Sequence, residues 1–192
     1  MGVTFDSEKQ MFVFDFEHDG AEDIINLTGD GYQVKAFGRC FYYGYEFSEQ
    51  VDGNVRSAFI NYVKFAKNLQ DNPDLTDFIK NAIDNLGKKI NLYNYNLVVM
   101  PESSSKVNQY MLRYIYRFAQ PKLCKVQDIL NLDMDEKLCA SIRQQNVLII
   151  DDVTTSGSTL NEILRTLRIL NEDNEITIFS LLGRKDLMAE AM

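Results

Sequence analysis

Four consecutive apolar residues, Val147-Leu148-Ile149-Ile150, run straight into two aspartates, Asp151 and Asp152. A turn of mostly small hydroxylated residues follows, Val153-Thr154-Thr155-Ser156-Gly157-Ser158-Thr159. A strand that is apolar on both sides of its pleat does not suit a sheet with one wet face. It needs cover above and below, which is the environment of a parallel sheet between helices. The flanking sequence keeps to the same grammar. Asn96-Leu97-Val98-Val99-Met100 reads as a second buried strand and Pro101-Glu102-Ser103-Ser104-Ser105-Lys106 as a polar loop. A helix follows, with its stripe at Val107, Tyr110, Met111, Tyr114, Ile115 and Phe118. Leu160, Ile163, Leu164, Leu167 and Leu170 mark another helix, and Ile176 to Leu182 a last strand. Residues 121–146 are less legible, with a short strand at Leu123 to Val126 and a helix around Asp135 to Arg143 as the readings they allow. The expected fold is α/β, a parallel sheet flanked by helices.

The first 90 residues read differently. Phe12, Phe14 and Phe16 alternate with Val13 and Asp15, and Phe37, Phe41, Tyr43, Tyr45 and Phe47 share one parity within Tyr32 to Phe47. Gly29-Asp30-Gly31 between them suits a hairpin turn. The ring density predicts a small sheet packed on something larger. Two amphipathic helices follow. One carries Val55, Ala58, Phe59, Tyr62, Val63, Ala66 and Leu69; the other carries Leu75, Phe78, Ile79, Ala82, Ile83 and Leu86. Asn72-Pro73 is a start signal for the second helix, and Gly87 a stop. With 192 residues, the division expected is a β-rich N-terminal subdomain with two helices over 1–90 and an α/β core over 91–192.

Composition narrows the function classes. Twenty Lys and Arg against 28 Asp and Glu give a net charge of −8, so general binding to a nucleic-acid backbone is a poor fit. A single anionic small molecule in a locally positive site is compatible with that charge. Cys40, Cys124 and Cys139 are odd in number and widely spaced, which argues against a disulfide framework and for a reducing compartment. Each reads as a small buried apolar residue. His18 is the only histidine, which argues against a Cys/His zinc site, and it reads as a turn residue. Met1 to Lys9 is polar, and no apolar run approaches the length of a membrane span. The expectation is a cytoplasmic protein with no membrane partner.

In an open parallel sheet, ligands bind at the carboxyl ends of the strands, so the segments after Met100 and Ile150 are where chemistry is expected. Asp151 and Asp152 can accept hydrogen bonds from a pair of vicinal hydroxyls or hold water around a divalent cation. Thr154 to Thr159 offers six backbone N–H groups and five hydroxyls at a helix N-terminus, a combination that favours a phosphate. Gly157 lets the backbone turn and approach a ligand closely. Carboxylates for a diol and a metal, beside an amide cradle for phosphate, describe a sugar phosphate. A P-loop would need Gly-Lys-Ser/Thr, which is absent. A phospho-receiver domain carries its aspartate pair on the first strand, and the 40 residues after Asp152 are too few for the rest of it. A plain strand-to-helix turn capped by Ser156 or Ser158 explains the hydroxyls but not two adjacent aspartates.

The segment Val147 to Thr159 resembles the phosphoribosyl pyrophosphate (PRPP) motif of the type I phosphoribosyltransferases, and looks most like the competence-protein F-like branch of that group. The resemblance implies that Asp151 and Asp152 contact the ribose hydroxyls of PRPP, directly or through water on Mg2+. It implies that Thr154, Thr155, Ser156, Gly157, Ser158 and Thr159 wrap the 5′-phosphate, with Thr155 and Thr159 giving hydroxyl contacts. Ser103, Ser104, Ser105 and Lys106 fall where the family binds pyrophosphate. The N-terminal region would be the hood over the acceptor, and a homodimer is implied by analogy. The activity implied is Mg2+-dependent transfer of a 5-phosphoribosyl group from PRPP to a nucleobase or amine-type acceptor, with release of pyrophosphate.

Several residues depart from the family's pattern. Ser156 and Ser158 stand where Thr and Gly are usual, and Glu102 brings a negative charge to the pyrophosphate loop. Residues 121–146, where the mobile catalytic loop belongs, contain no glycine. Two other functions therefore stay open. One is a non-catalytic PRPP- or nucleotide-binding accessory protein of the same fold. The other is a hydrolase of phosphoribosyl compounds, should water reach a site without a lid. Arg184, Lys185 and Asp186 follow the last strand within reach of a substrate, or serve as solvated surface.

Overall fold

The computed structural model describes residues 2–6, 11–15, 23–25, 33–36, 39–46, 57, 60, 61, 63, 73–101, 106–117, 122–125, 146–154, 157–170 and 175–183. Three strands, β1 (Gly2–Asp6), β2 (Met11–Asp15) and β3 (Asp23–Ile25), form an antiparallel sheet in that order. Phe12 sits opposite Phe5, and Phe14 opposite Val3. Next come β4 (Gln33–Ala36), β5 (Arg39–Glu46), α1 (Pro73–Lys89), a short 3-10 turn (Leu92–Asn94) and β6 (Leu97–Met100). The order continues with α2 (Lys106–Ile115), β7 (Lys122–Lys125), β8 (Asn146–Thr154), α3 (Ser158–Leu170) and β9 (Glu175–Gly183). The second sheet has six strands in the order β4-β5-β9-β8-β6-β7. All its pairs are parallel except that of β4 with β5.

The α/β fold expected from the sequence is present. The hairpin expected across residues 29–31 is not, because β2 pairs with β1 and β3 while β4 pairs with β5, in separate sheets. Shorter connections win: two residues separate β4 from β5, the spacing of a tight hairpin. The aromatic strand β5 also differs from the expectation of a small packed sheet. It runs parallel to β9, with Phe41 opposite Ile178 and Tyr45 opposite Leu182, inside the main sheet.

At β6, β8 and β9 both faces of that sheet are buried, as these apolar strands require. Leu148, Ile150, Val98, Phe179 and Leu181 join the stripes of α1 (Leu75, Phe78, Ile79, Ala82, Ile83) and α2 (Val107, Met111, Ile115) in one cluster. Val147, Ile149, Leu97, Val99 and Ile178 occupy the alternate positions and are equally buried, as are Leu160, Ile163, Leu164 and Leu167 of α3. α1 starts at Pro73 as expected but runs through Gly87 to Lys89, with the Ile90 N–H still donating to the Leu86 carbonyl. Lys88 and Lys89 complement the dipole of the last turn, and a lone glycine costs a helix only ~1 kcal/mol. Among the described residues no helix is long and apolar enough to cross a membrane.

Helix α1 is fastened to β5 at two points. Gly44 has no side chain where α1 crosses: a Cβ there would lie 2.7 Å from that of Ala82 and 2.9 Å from the Leu181 carbonyl oxygen. Beside it the Tyr45 ring stacks on Phe78 with centroids 3.8 Å apart, and its hydroxyl donates to the Phe78 carbonyl at 2.7 Å. Burial pushes the Tyr45 phenol far above its usual range, so it remains a neutral donor even in alkali. Tyr45→Phe keeps the stack and removes the bond, and is expected to cost ~1 kcal/mol in urea unfolding. An unchanged midpoint would show that this bond contributes nothing.

Candidate functional site

The strand order puts the switch point of the sheet between β6 and β8. From β6 the chain passes through α2 to β7 on one side, and from β8 it passes through α3 to β9 on the other. Crossovers of the usual right hand, running in opposite directions, place the two helices on opposite faces, and in open parallel sheets ligands bind at such a switch point. The hydrogen-bond register differs on the two sides of β8. β8 pairs with β6 as far as Ile149 opposite Val99, yet with β9 as far as Thr154 opposite Gly183. Among the described residues, Asp151 to Thr154 thus have a paired neighbour on the β9 side alone.

This is where the structure extends the expected strand. β8 does not end at Ile150 but continues through both aspartates to Thr154. Asp151 is 9% exposed, Asp152 4% and Thr154 2%. The Asp152 N–H donates to Asp151 Oδ1 at 3.0 Å, and the Val153 N–H donates to Asp152 Oδ1 at 2.7 Å. Each carboxylate is thereby drawn along the strand towards its carboxyl end. The Thr154 hydroxyl lies 3.4 Å from Asp151 Oδ2. Asp152 Oδ2 is buried and has no hydrogen-bond partner among the described residues. Leaving a buried acceptor unmade costs ~1–3 kcal/mol and more when it is charged, so this oxygen marks a position that a ligand would improve.

Three residues on, Gly157 adopts φ 72° and is buried. Its carbonyl accepts the first bond of α3, from the Asn161 N–H at 2.8 Å. This left-handed residue immediately precedes α3, at the positive end of the helix dipole. Ser158 and Thr159 occupy the exposed first turn, anchored by buried Leu160. An L-residue in this backbone region is strained by ~1–2 kcal/mol. Gly157→Ala should therefore lower unfolding stability by about that much in urea titration. A neutral result would mean that the turn is not held at positive φ.

Lys106, exposed, is the first residue of α2. Ser103, Ser104, Ser105, Thr155 and Ser156 lie outside the described residues, as do Glu102, His18 and Arg184 to Asp186. Of residues 121–146 only 122–125 and 146 are described, and 122–125 form β7 close to the expected short strand. Among the described residues no group of three or more His, Cys, Asp or Glu could hold a metal. Two residues beside the site escape sequence reasoning. Ser180, fully buried opposite Asp151, donates to the Leu182 carbonyl at 2.8 Å. Gly183 leaves the space beside Thr154 that the Tyr43 ring fills. A serine and a glycine at the end of an apolar strand are the only signals they give.

No family model and no curated protein matches the chain. Solved structures similar to it include a hypoxanthine-guanine-xanthine phosphoribosyltransferase, at 13% identity and TM-score 0.41 over 57% of this chain and 62% of that one. A hypoxanthine phosphoribosyltransferase from Staphylococcus aureus is similar at 19% identity and TM-score 0.40, over 58% and 66% of the two chains. The hypoxanthine phosphoribosyltransferase of Trypanosoma cruzi is similar at 20% identity and TM-score 0.37, over 56% and 66%. The chain spans less than two thirds of the length of each of these three.

Proposed function

We propose that the carboxyl end of β8 binds PRPP with Mg2+, and that the protein transfers the 5-phosphoribosyl group to a nucleobase or amine-type acceptor with release of pyrophosphate. One observation carries this reading: a buried carboxylate oxygen without a partner among the described residues, on Asp152, close in sequence to a helix start turned by a positive-φ glycine. An acceptor for hydroxyl or hydrated-cation donors next to an anion-favouring helix end suits a phosphorylated sugar. The resemblance of Val147 to Thr159 to the PRPP motif supports the same ligand.

The donor set also fits the metal. Mg2+ prefers hard oxygen ligands and usually retains waters, taking one or two carboxylates together with substrate phosphates. Asp152 supplies one, and its Oδ2, unpartnered among the described residues, is the atom best placed to accept from a coordinated water. When bound, the metal would neutralise charge on the departing pyrophosphate. Asp152 would accept from the ribose hydroxyls and hold the ring in place. The first-turn amides of α3 would hold the 5′-phosphate, so that the anomeric carbon is presented at a fixed distance from the acceptor.

The experiment is titration calorimetry of the protein with PRPP, with and without Mg2+, followed by assay of pyrophosphate release across nucleobases and amines. Metal-dependent saturation with release is the expected result. Saturation without release for any acceptor would favour the binding-protein reading, and no heat at millimolar PRPP would overturn the ligand assignment.

A further inference from the structure

The two aspartates of the motif are not equivalent, and the residue that makes them different is Thr154. Both oxygens of Asp151 are engaged by the protein, Oδ1 by the Asp152 N–H and Oδ2 by the Thr154 hydroxyl at 3.4 Å. Asp152 has one oxygen engaged by the Val153 N–H, and its Oδ2 is buried with no partner among the described residues. Thr154 is the last residue of β8 and is 2% exposed, with its backbone in register opposite Gly183. A hydroxyl so enclosed is poorly placed for a phosphate at the switch point, and the anion within its reach is Asp151.

We infer that Thr154 is a positioning residue whose hydroxyl holds the Asp151 carboxylate against the strand, so that Asp152 alone of the pair offers an oxygen to the ligand. This rests on the reading of the site as one for PRPP with Mg2+. Threonine is suited to the task because its branched Cβ leaves few rotamers, so the hydroxyl is held facing one way at little entropic cost. Asp151, once fixed, keeps the Asp152 N–H engaged. The peptide that carries the ligand-facing carboxylate is then anchored from one side by Asp151 and from the other by the Val153 N–H on Asp152 Oδ1.

The test uses the whole chain, with Mg2+ and PRPP as the probe in calorimetry. Thr154→Val keeps the shape and removes the donor; Thr154→Ser keeps the donor. Thr154→Val is expected to weaken binding about fivefold, the net effect of one ordinary hydrogen bond, and Thr154→Ser less than about twofold. In an Asp151→Ala background, which removes the acceptor, Thr154→Val should add nothing further. Binding by Thr154→Val within about twofold of wild type overturns the inference, as does an equal loss in Thr154→Ser, which assigns the effect to the methyl group. Wild-type protein that fails to bind PRPP overturns the functional reading instead. In that case thermal unfolding of the ligand-free Thr154→Val and Asp151→Ala cycle still decides whether the two side chains act together. Additive shifts would show that they do not.

Discussion

Gly183→Ala should lower the melting temperature by roughly 6–12 °C, the equivalent of ~3 kcal/mol in a chain of this size. The added Cβ would overlap the ring of Tyr43, which lies where the side chain of residue 183 would be. Tyr43 is almost wholly buried and leans on Phe41, ring centroids 4.6 Å apart and tilted by 56°, so the ring has little room to withdraw. The strand would have to move instead, and Gly183 is paired with both Thr154 and Glu46. The three heavy atoms nearest to that Cβ all belong to the Tyr43 ring, which gives a second measurement. In a Tyr43→Ala background the same Gly183→Ala change should cost little, because the overlapping atoms are gone. Equal costs in the two backgrounds would mean that the close approach is not what constrains Gly183.

Asp152→Asn is expected to act in opposite directions on stability and on binding. It removes a charge from a buried oxygen that no described residue satisfies, while the bond from the Val153 N–H can remain. Unfolding stability without ligand should stay level or rise by ~1 kcal/mol. Affinity for PRPP with Mg2+ should fall at least a hundredfold, about 2.7 kcal/mol. This is the expected signature of a group kept for its ligand at some expense to the fold. A parallel loss of stability and binding would make Asp152 a structural residue. Preserved binding would remove it from the site.

Much of this architecture is legible because burial on two faces leaves a plain signature. Val147 to Ile150 and Leu97 to Val99 are apolar at every position and become neighbours at the centre of the sheet. The stripes on α1, α2 and α3 follow from helical periodicity, and their described members are buried or half-buried. The extension of β8 past Ile150 is not legible. Asp151, Asp152 and Thr154 have low strand propensity or polar side chains, and only pairing with β9 keeps them extended. The sheet to which β5 belongs is also hidden, since alternation along a strand specifies its faces but not its neighbours. At the site, residue types point to the ligand class, while the difference between the two carboxylates depends on hydrogen bonds that spacing cannot convey. Ser180 and Gly183 matter through Asp151, Thr154 and Tyr43, which are distant from them in sequence.

The position of β9 within the sheet bears on how the protein is made. It is the last described strand in the chain, yet it lies between β5 and β8, so Cys40 waits for Thr177. While the chain emerges from the ribosome, β5 and β8 each present a bare edge until β9 arrives and joins them. The segment Asp151 to Thr154, which has no other paired neighbour among the described residues, takes its shape only then. Such long-range closure is slow and leaves strand edges exposed to other chains in the interval. Nascent protein stalled before residue 175 should therefore be rich in aggregating species and unable to bind ligand, however long it is given to fold.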